Sequence, residues 1–106
     1  MSDKLKGYLG LAVRSGQAAL GANMVLEQIR SGKAGVVLID EDASDNTRKK
    51  LSDACAFRNV DLHILPAGLI AASCGKGDRM AAGVRKGGLA DSISREAEAM
   101  ADSLPD

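Results

Sequence analysis

Aromatic side chains are almost missing from this chain: it has no Trp, and Tyr8 and Phe57 are its only rings of that class. Single-strand binders of the RRM or OB type set several exposed rings together to stack bases, so that kind of platform is excluded. Any nucleic-acid recognition must use backbone, amide and guanidinium groups. Cysteine is scarce as well. Cys55 and Cys74 belong to no CxxC pair, and His63 is the single histidine, which predicts free thiols and no metal site. No apolar run approaches the length of a membrane span, and the stretch near the N-terminus is broken by Lys6 and Arg14, too short for a secretory signal. The expectation is a soluble, cytoplasmic protein without a cofactor or membrane contact.

What is present suffices for one domain. The 106 residues can bury roughly two-thirds of their unfolded surface without disulfides or metals. The formal net charge of zero conceals an asymmetry: residues 1–90 hold thirteen Lys and Arg against nine Asp and Glu, and residues 91–106 hold one against five. The body is therefore net +4 and the end net −4. A mildly basic body permits contact with a polyanion. The division predicted is a domain over residues 1–92 and an acidic helix end and tail over 93–106.

Hydrophobic periodicity supplies the elements. Leu5, Tyr8, Leu9 and Ala12 recur at helical spacing within Lys4 to Arg14, and Ser15-Gly16 closes that helix. A second helix is predicted from Ala22 to Arg30, stopped by Ser31-Gly32. The run Val36 to Ile39 reads as a central strand covered on both faces. Ser44 can cap a third helix ending near Arg58 and Asn59. Val60 to Leu65 alternates, which predicts a half-buried strand with Val60, Leu62 and Ile64 inside and Asp61 and His63 outside. Pro66 suits the first turn of a short helix reaching Ser73, with Gly75 as its C-cap; Met80 to Val84 reads as a strand and Leu89 to Met100 as a terminal helix.

Strands alternating with helices predict an α/β fold, a three-layer α/β/α sandwich around a small mixed sheet of about four strands. Ligands in such sheets meet the loops at strand ends, here Gly21 to Met24, Asp40 to Ser44 and Ser73 to Arg79. The first of these opens a helix: glycine permits close approach, first-turn N–H groups favour phosphate, and the Asn23 amide can donate and accept. The same two residues also suit a plain helix cap. Lys76, Arg79, Arg85 and Lys86 against Asp78 make the most basic short stretch, readable as a phosphate grip or as a solvated charge run. Gly75-Lys76 lacks the Walker spacing. The acids Asp40, Glu41 and Asp42 read best as a turn and helix cap. Nothing around Cys55, Cys74 or His63 makes a nucleophile–base pair, so no catalytic residue is expected.

The ordered set from Gly21-Ala22-Asn23-Met24 through Gln28 to Ala34, Glu41 to Thr47, Lys49-Lys50-Leu51, Cys55, Asn59-Val60 and Gly75-Lys76 to Arg79 resembles the ribosomal protein L7Ae/L30e superfamily, in its bacterial ribosomal-like branch. The likeness spans about residues 4–92. It implies binding to kink-turn RNA, a sharply bent helix with sheared G·A pairs. The family's turn opening the second helix enters the widened groove, and its loop before the last strand holds a flipped-out base; the matching positions are Gly21, Ala22, Asn23 and Met24, and Cys74, Gly75, Lys76, Gly77 and Arg79. Glu27, Lys33 and Asp42 complete the implied interface, Lys33 as a phosphate contact. Met24 stands where the family turn has Glu, and Glu27 where it has Lys. The expectation is a non-catalytic, monomeric RNA-binding protein associated with the ribosome and with ribosomal proteins. The alternative is a protein–protein interaction module that keeps the fold without RNA affinity.

Overall fold

The computed structural model describes residues 3–75 and 79–102. In chain order the elements are α1 (Asp3–Arg14), β1 (Ala18–Leu20), α2 (Ala22–Arg30), β2 (Ala34–Asp40), α3 (Asp45–Arg58), β3 (Asp61–Leu65), α4 (Leu69–Cys74), β4 (Ala81–Arg85) and α5 (Gly88–Asp102). The sheet order is β1-β4-β2-β3. β2 pairs parallel with β3 and antiparallel with β4, which pairs antiparallel with β1. The sheet is mixed, as expected.

β2 is central because its side chains serve two cores. Val36 and Leu38 enter one cluster with Leu5, Leu9 and Ile93, while Val37 and Ile39 enter another with Val25, Ile29 and Leu51. The first cluster sits under α1, α4 and α5 and the second under α2 and α3, which gives the three layers. Each fully buried Leu or Ile contributes about 1.5–3 kcal/mol by leaving water. α5 continues past residue 92 without a break, and Ile93 and Ala97 are core residues.

Several local signals act as anticipated. Ser44 Oγ accepts from Thr47 N–H (3.1 Å) and caps α3, and Asn59 ends that helix with φ 61°. Gly75 caps α4 at φ 71°. Three readings need correction. β1 is an additional strand; its three residues, Ala18 to Leu20, are too few to show a period and are fixed by pairing with β4. α4 begins at Leu69, since Pro66 and Gly68 form a turn closed by Leu69 N–H to Pro66 O (3.2 Å). In β3 the alternation of sides holds but the burial does not: Ile64 is exposed and Leu65 buried, because the face expected in solvent is covered by α4 and α5. His63 accordingly is half-buried, with Nε2 3.0 Å from Ser94 Oγ. Among the described residues no helix is long and apolar enough to cross a membrane.

Candidate nucleic-acid interface

The ends of β1, β2 and β3 and the start of β4 lie at one end of the sheet, since Leu20 pairs with Ala82, Ile39 with Ala81 and Asp40 with Leu65. There the chain leaves β1 and turns into α2 at a single residue. Gly21 N–H donates to Ala81 O (2.9 Å), adding a rung to the sheet, and Gly21 O accepts from Val25 N–H (3.0 Å) in the first helical turn. Doing both takes φ 88° and ψ 154°, a backbone region open to glycine alone. No side chain caps α2 and its first turn carries no acid, so the positive helix end faces outward unneutralised.

Arg79 reaches this turn from the segment before β4. A Cβ on Gly21 would lie 3.2 Å from Arg79 Nη1. The guanidinium therefore crosses the glycine, and among the described residues Arg79 Nε is buried without a hydrogen-bond partner. Leu20, Gly21, Ala22, Asn23, Met24 and Arg79 line an open depression of about 420 Å³. Asn23 is exposed and Met24 is 60% exposed. At the end of α4, burial pushes the Cys74 thiol above its ordinary range, and the Arg79 charge offsets part of that rise. Gly75 follows directly, exposed. Lys76 and Gly77 lie outside the described residues.

The remaining candidates divide. Glu27 is exposed on α2 one turn beyond Asn23, which puts a carboxylate on the same helix face. Asp42 belongs to the same end of the sheet, because Asp40 N–H donates to Met80 O (2.8 Å). Its own N–H donates to Asp40 Oδ1 (2.7 Å), and Asp40 Oδ2 accepts from Gly68 N–H (2.9 Å). Asp40, buried rather than exposed, thus binds two loops together and holds the turn that sequence expected there. Lys33 does not join the others. It sits before the start of β2, where Lys33 O accepts from Lys86 N–H (3.0 Å), at the opposite end of a seven-residue strand and hence about 20 Å away.

Read from sequence, Gln28 has no role of its own. Its side chain runs across β4, with Nε2 donating to Gln17 O (3.4 Å) and Oε1 buried without a partner among the described residues. A Cβ on Gly83 would collide with that Oε1. The signal was Gly83 itself, since glycine inside a strand marks a close approach.

The sequence and the fold match known proteins. A family model described as "Ribosomal protein L7Ae/L30e/S12e/Gadd45 family" matches residues 3–92, and the chain belongs to that family. It is 35% identical over 86 residues to the RNA-binding protein YlxQ of Bacillus subtilis (strain 168), covering 80% of this chain and 86% of that one. The YlxQ of Enterococcus faecium is 37% identical over 58 residues, 55% of this chain and 56% of its own. Among solved structures, a protein of unknown function from Bacillus halodurans C superposes with TM-score 0.84 at 25% identity, covering 92% of this chain and 99% of that one. The Giardia lamblia 15.5kD RNA binding protein gives 0.73 at 23% identity over 93% and 88%, a likeness of fold.

Proposed function

We propose that this chain is a non-catalytic RNA-binding protein that reads a kink-turn or a similar G·A-rich internal loop with the Gly21–Met24 turn and the segment from Cys74 to Arg79. It acts as a cytoplasmic monomer associated with the ribosome, where ribosomal proteins are further partners. The observation that carries the reading is the meeting of these two segments across Gly21, with an uncapped helix end, an exposed amide at Asn23 and a guanidinium converging on one open depression. Asn23 pairs with base edges, Arg79 and the leading N–H groups of α2 hold phosphates, and residues Gly75 to Gly77 take an extruded nucleotide. Membership in the family and the curated relatives named RNA-binding proteins support the same reading.

Neither Ser94 beside His63 nor Cys55 is arranged as an activated nucleophile. Ser94 Oγ donates to Asp61 Oδ2 (3.0 Å), so its proton is committed to a carboxylate and His63 can only donate to it. A serine nucleophile would need the reverse. Burial pushes the Cys55 thiol up to about 11, which suppresses its thiolate at neutral pH.

Met24 favours the second reading, a protein-interaction module, because a thioether 60% exposed beside Leu20 and Ala22 suits an apolar partner. Titration with a labelled kink-turn RNA and a fully paired duplex, at low and physiological salt, separates the two. Selective binding that weakens steeply with salt supports RNA recognition; binding of neither RNA supports the interaction module.

A further inference from the structure

Five exposed cations gather at the opposite end of the sheet from Asn23, although they are scattered through the sequence. Arg30 ends α2, Lys33 precedes β2, Arg58 ends α3, and Arg85 and Lys86 close β4. Their connection is direct. Arg85 pairs with Ala34, Lys86 N–H donates to Lys33 O, and two adjoining cavities of about 600 and 280 Å³ share Ile29 and Arg58, the first reaching Arg30 and the second Lys86. Three acids lie near them. Asp53 is paired with Lys49 at 3.1 Å, Asp61 accepts the Ser94 hydroxyl, and Asp91 lines the smaller cavity. No ion pair involving any of the five cations occurs among the described residues.

Phe57 stands at the rim, 83% exposed, with the Arg58 guanidinium 5.8 Å from its ring centre. Leaving the chain's only Phe in water beside a cation makes sense if something flat stacks there. Carboxylates alone would satisfy the cations and leave the ring bare. A nucleic-acid strand answers both features, phosphates for the cations and a base for the ring, one stacking contact added to the backbone, amide and guanidinium groups expected from sequence, while Gly32 and Gly87 in the smaller cavity, with nothing within 4 Å of where a Cβ would sit, let its backbone come close.

We infer that this end of the molecule is a second RNA surface, which grips the strand or stem flanking the element read at the Gly21–Met24 turn. The inference rests on the RNA reading given above. α2 connects the two surfaces, running nine residues from the turn to Arg30, about 13 Å, so one RNA can span both. Lys33 then has a phosphate role at this second surface.

The test compares two labelled RNAs that share one kinked internal loop, one with minimal stems and one extended by ten nucleotides on one side. Full-length wild type is set beside the double variant Arg58→Glu/Lys86→Glu and beside Phe57→Ala, each checked for an unchanged melting temperature. Wild type should bind the extended RNA about tenfold more tightly and with a steeper salt dependence. The double variant should lose that gain and flatten the slope of log K against log salt by about 1.5, while keeping its affinity for the minimal RNA. Phe57→Ala should cut the gain about fivefold. An extension that adds nothing to wild type, or a gain that survives the double variant, overturns the second surface while minimal-RNA binding upholds the first. Failure of wild type to bind either RNA overturns both, and polyglutamate binding that depends on Arg58 and Lys86 would then assign the surface to an acidic protein.

Discussion

The Arg79 guanidinium lies across Gly21, with Nη1 3.2 Å from the position a Cβ would take on the glycine. Two segments nearly sixty residues apart in sequence are thereby brought to one spot, and the glycine is required twice: for the space and for a backbone at φ 88°, ψ 154°. Gly21→Ala should cost about 2 kcal/mol of stability and displace Arg79. Denaturant unfolding measures it; a change below about 0.5 kcal/mol would show that neither requirement is real.

Asn23 makes no capping bond and is exposed, so its removal should leave stability unchanged. Asn23→Ala is expected to lower RNA affinity by about 1–3 kcal/mol. Equal affinities in a filter-binding or anisotropy titration would remove Asn23 from the site.

Gln28 and Gly83 occupy one space from two sides. Gly83→Ala should destabilise by about 1–3 kcal/mol through overpacking, and Gln28→Ala in the same chain should recover part of that loss, with a coupling of at least about 0.5 kcal/mol. Additive effects would mean that the two side chains do not meet.

Much of this arrangement is legible from residues alone and some of it is not, for identifiable reasons. Helix ends written in local chemistry, Ser44 before α3, Asn59 after it and Gly75 after α4, lie where their backbone preferences put them. The family turn at Gly21 is legible for the same reason, being a contiguous signal. β1 is decided by pairing with β4 and the burial of Leu65 by what packs on the far side of its strand, neither of which a local period reports. The distance of Lys33 from Asn23 is not legible, because sequence nearness to α2 hides a whole strand length between the two. Asp40 and Gln28 act on backbone and side chains remote in sequence, and a single chain gives no register for such contacts.

The buried Cys55 thiol, pushed up to about 11 by desolvation, ties stability to alkaline pH. Folding raises its pKa, so its contribution is complete below the unfolded value near 8.5 and is lost as pH climbs toward 11, where only the unfolded chain gains a thiolate easily. The loss should be on the order of 2 kcal/mol between pH 8.5 and 11 and be absent in Cys55→Ala. Unfolding curves at pH 8, 9.5 and 10.5 compare the two; parallel declines would assign the loss to other groups.

The convergence of α2 and the Arg79 segment on RNA is tested most directly by recording backbone amide shifts of the labelled protein during titration with the minimal kinked RNA. The largest changes should fall at Ala22, Asn23, Met24 and Arg79, with Lys33 and Lys86 little affected. Changes confined to the Lys33 and Lys86 end, or none at saturating RNA, would contradict the placement of the RNA-reading edge at Gly21.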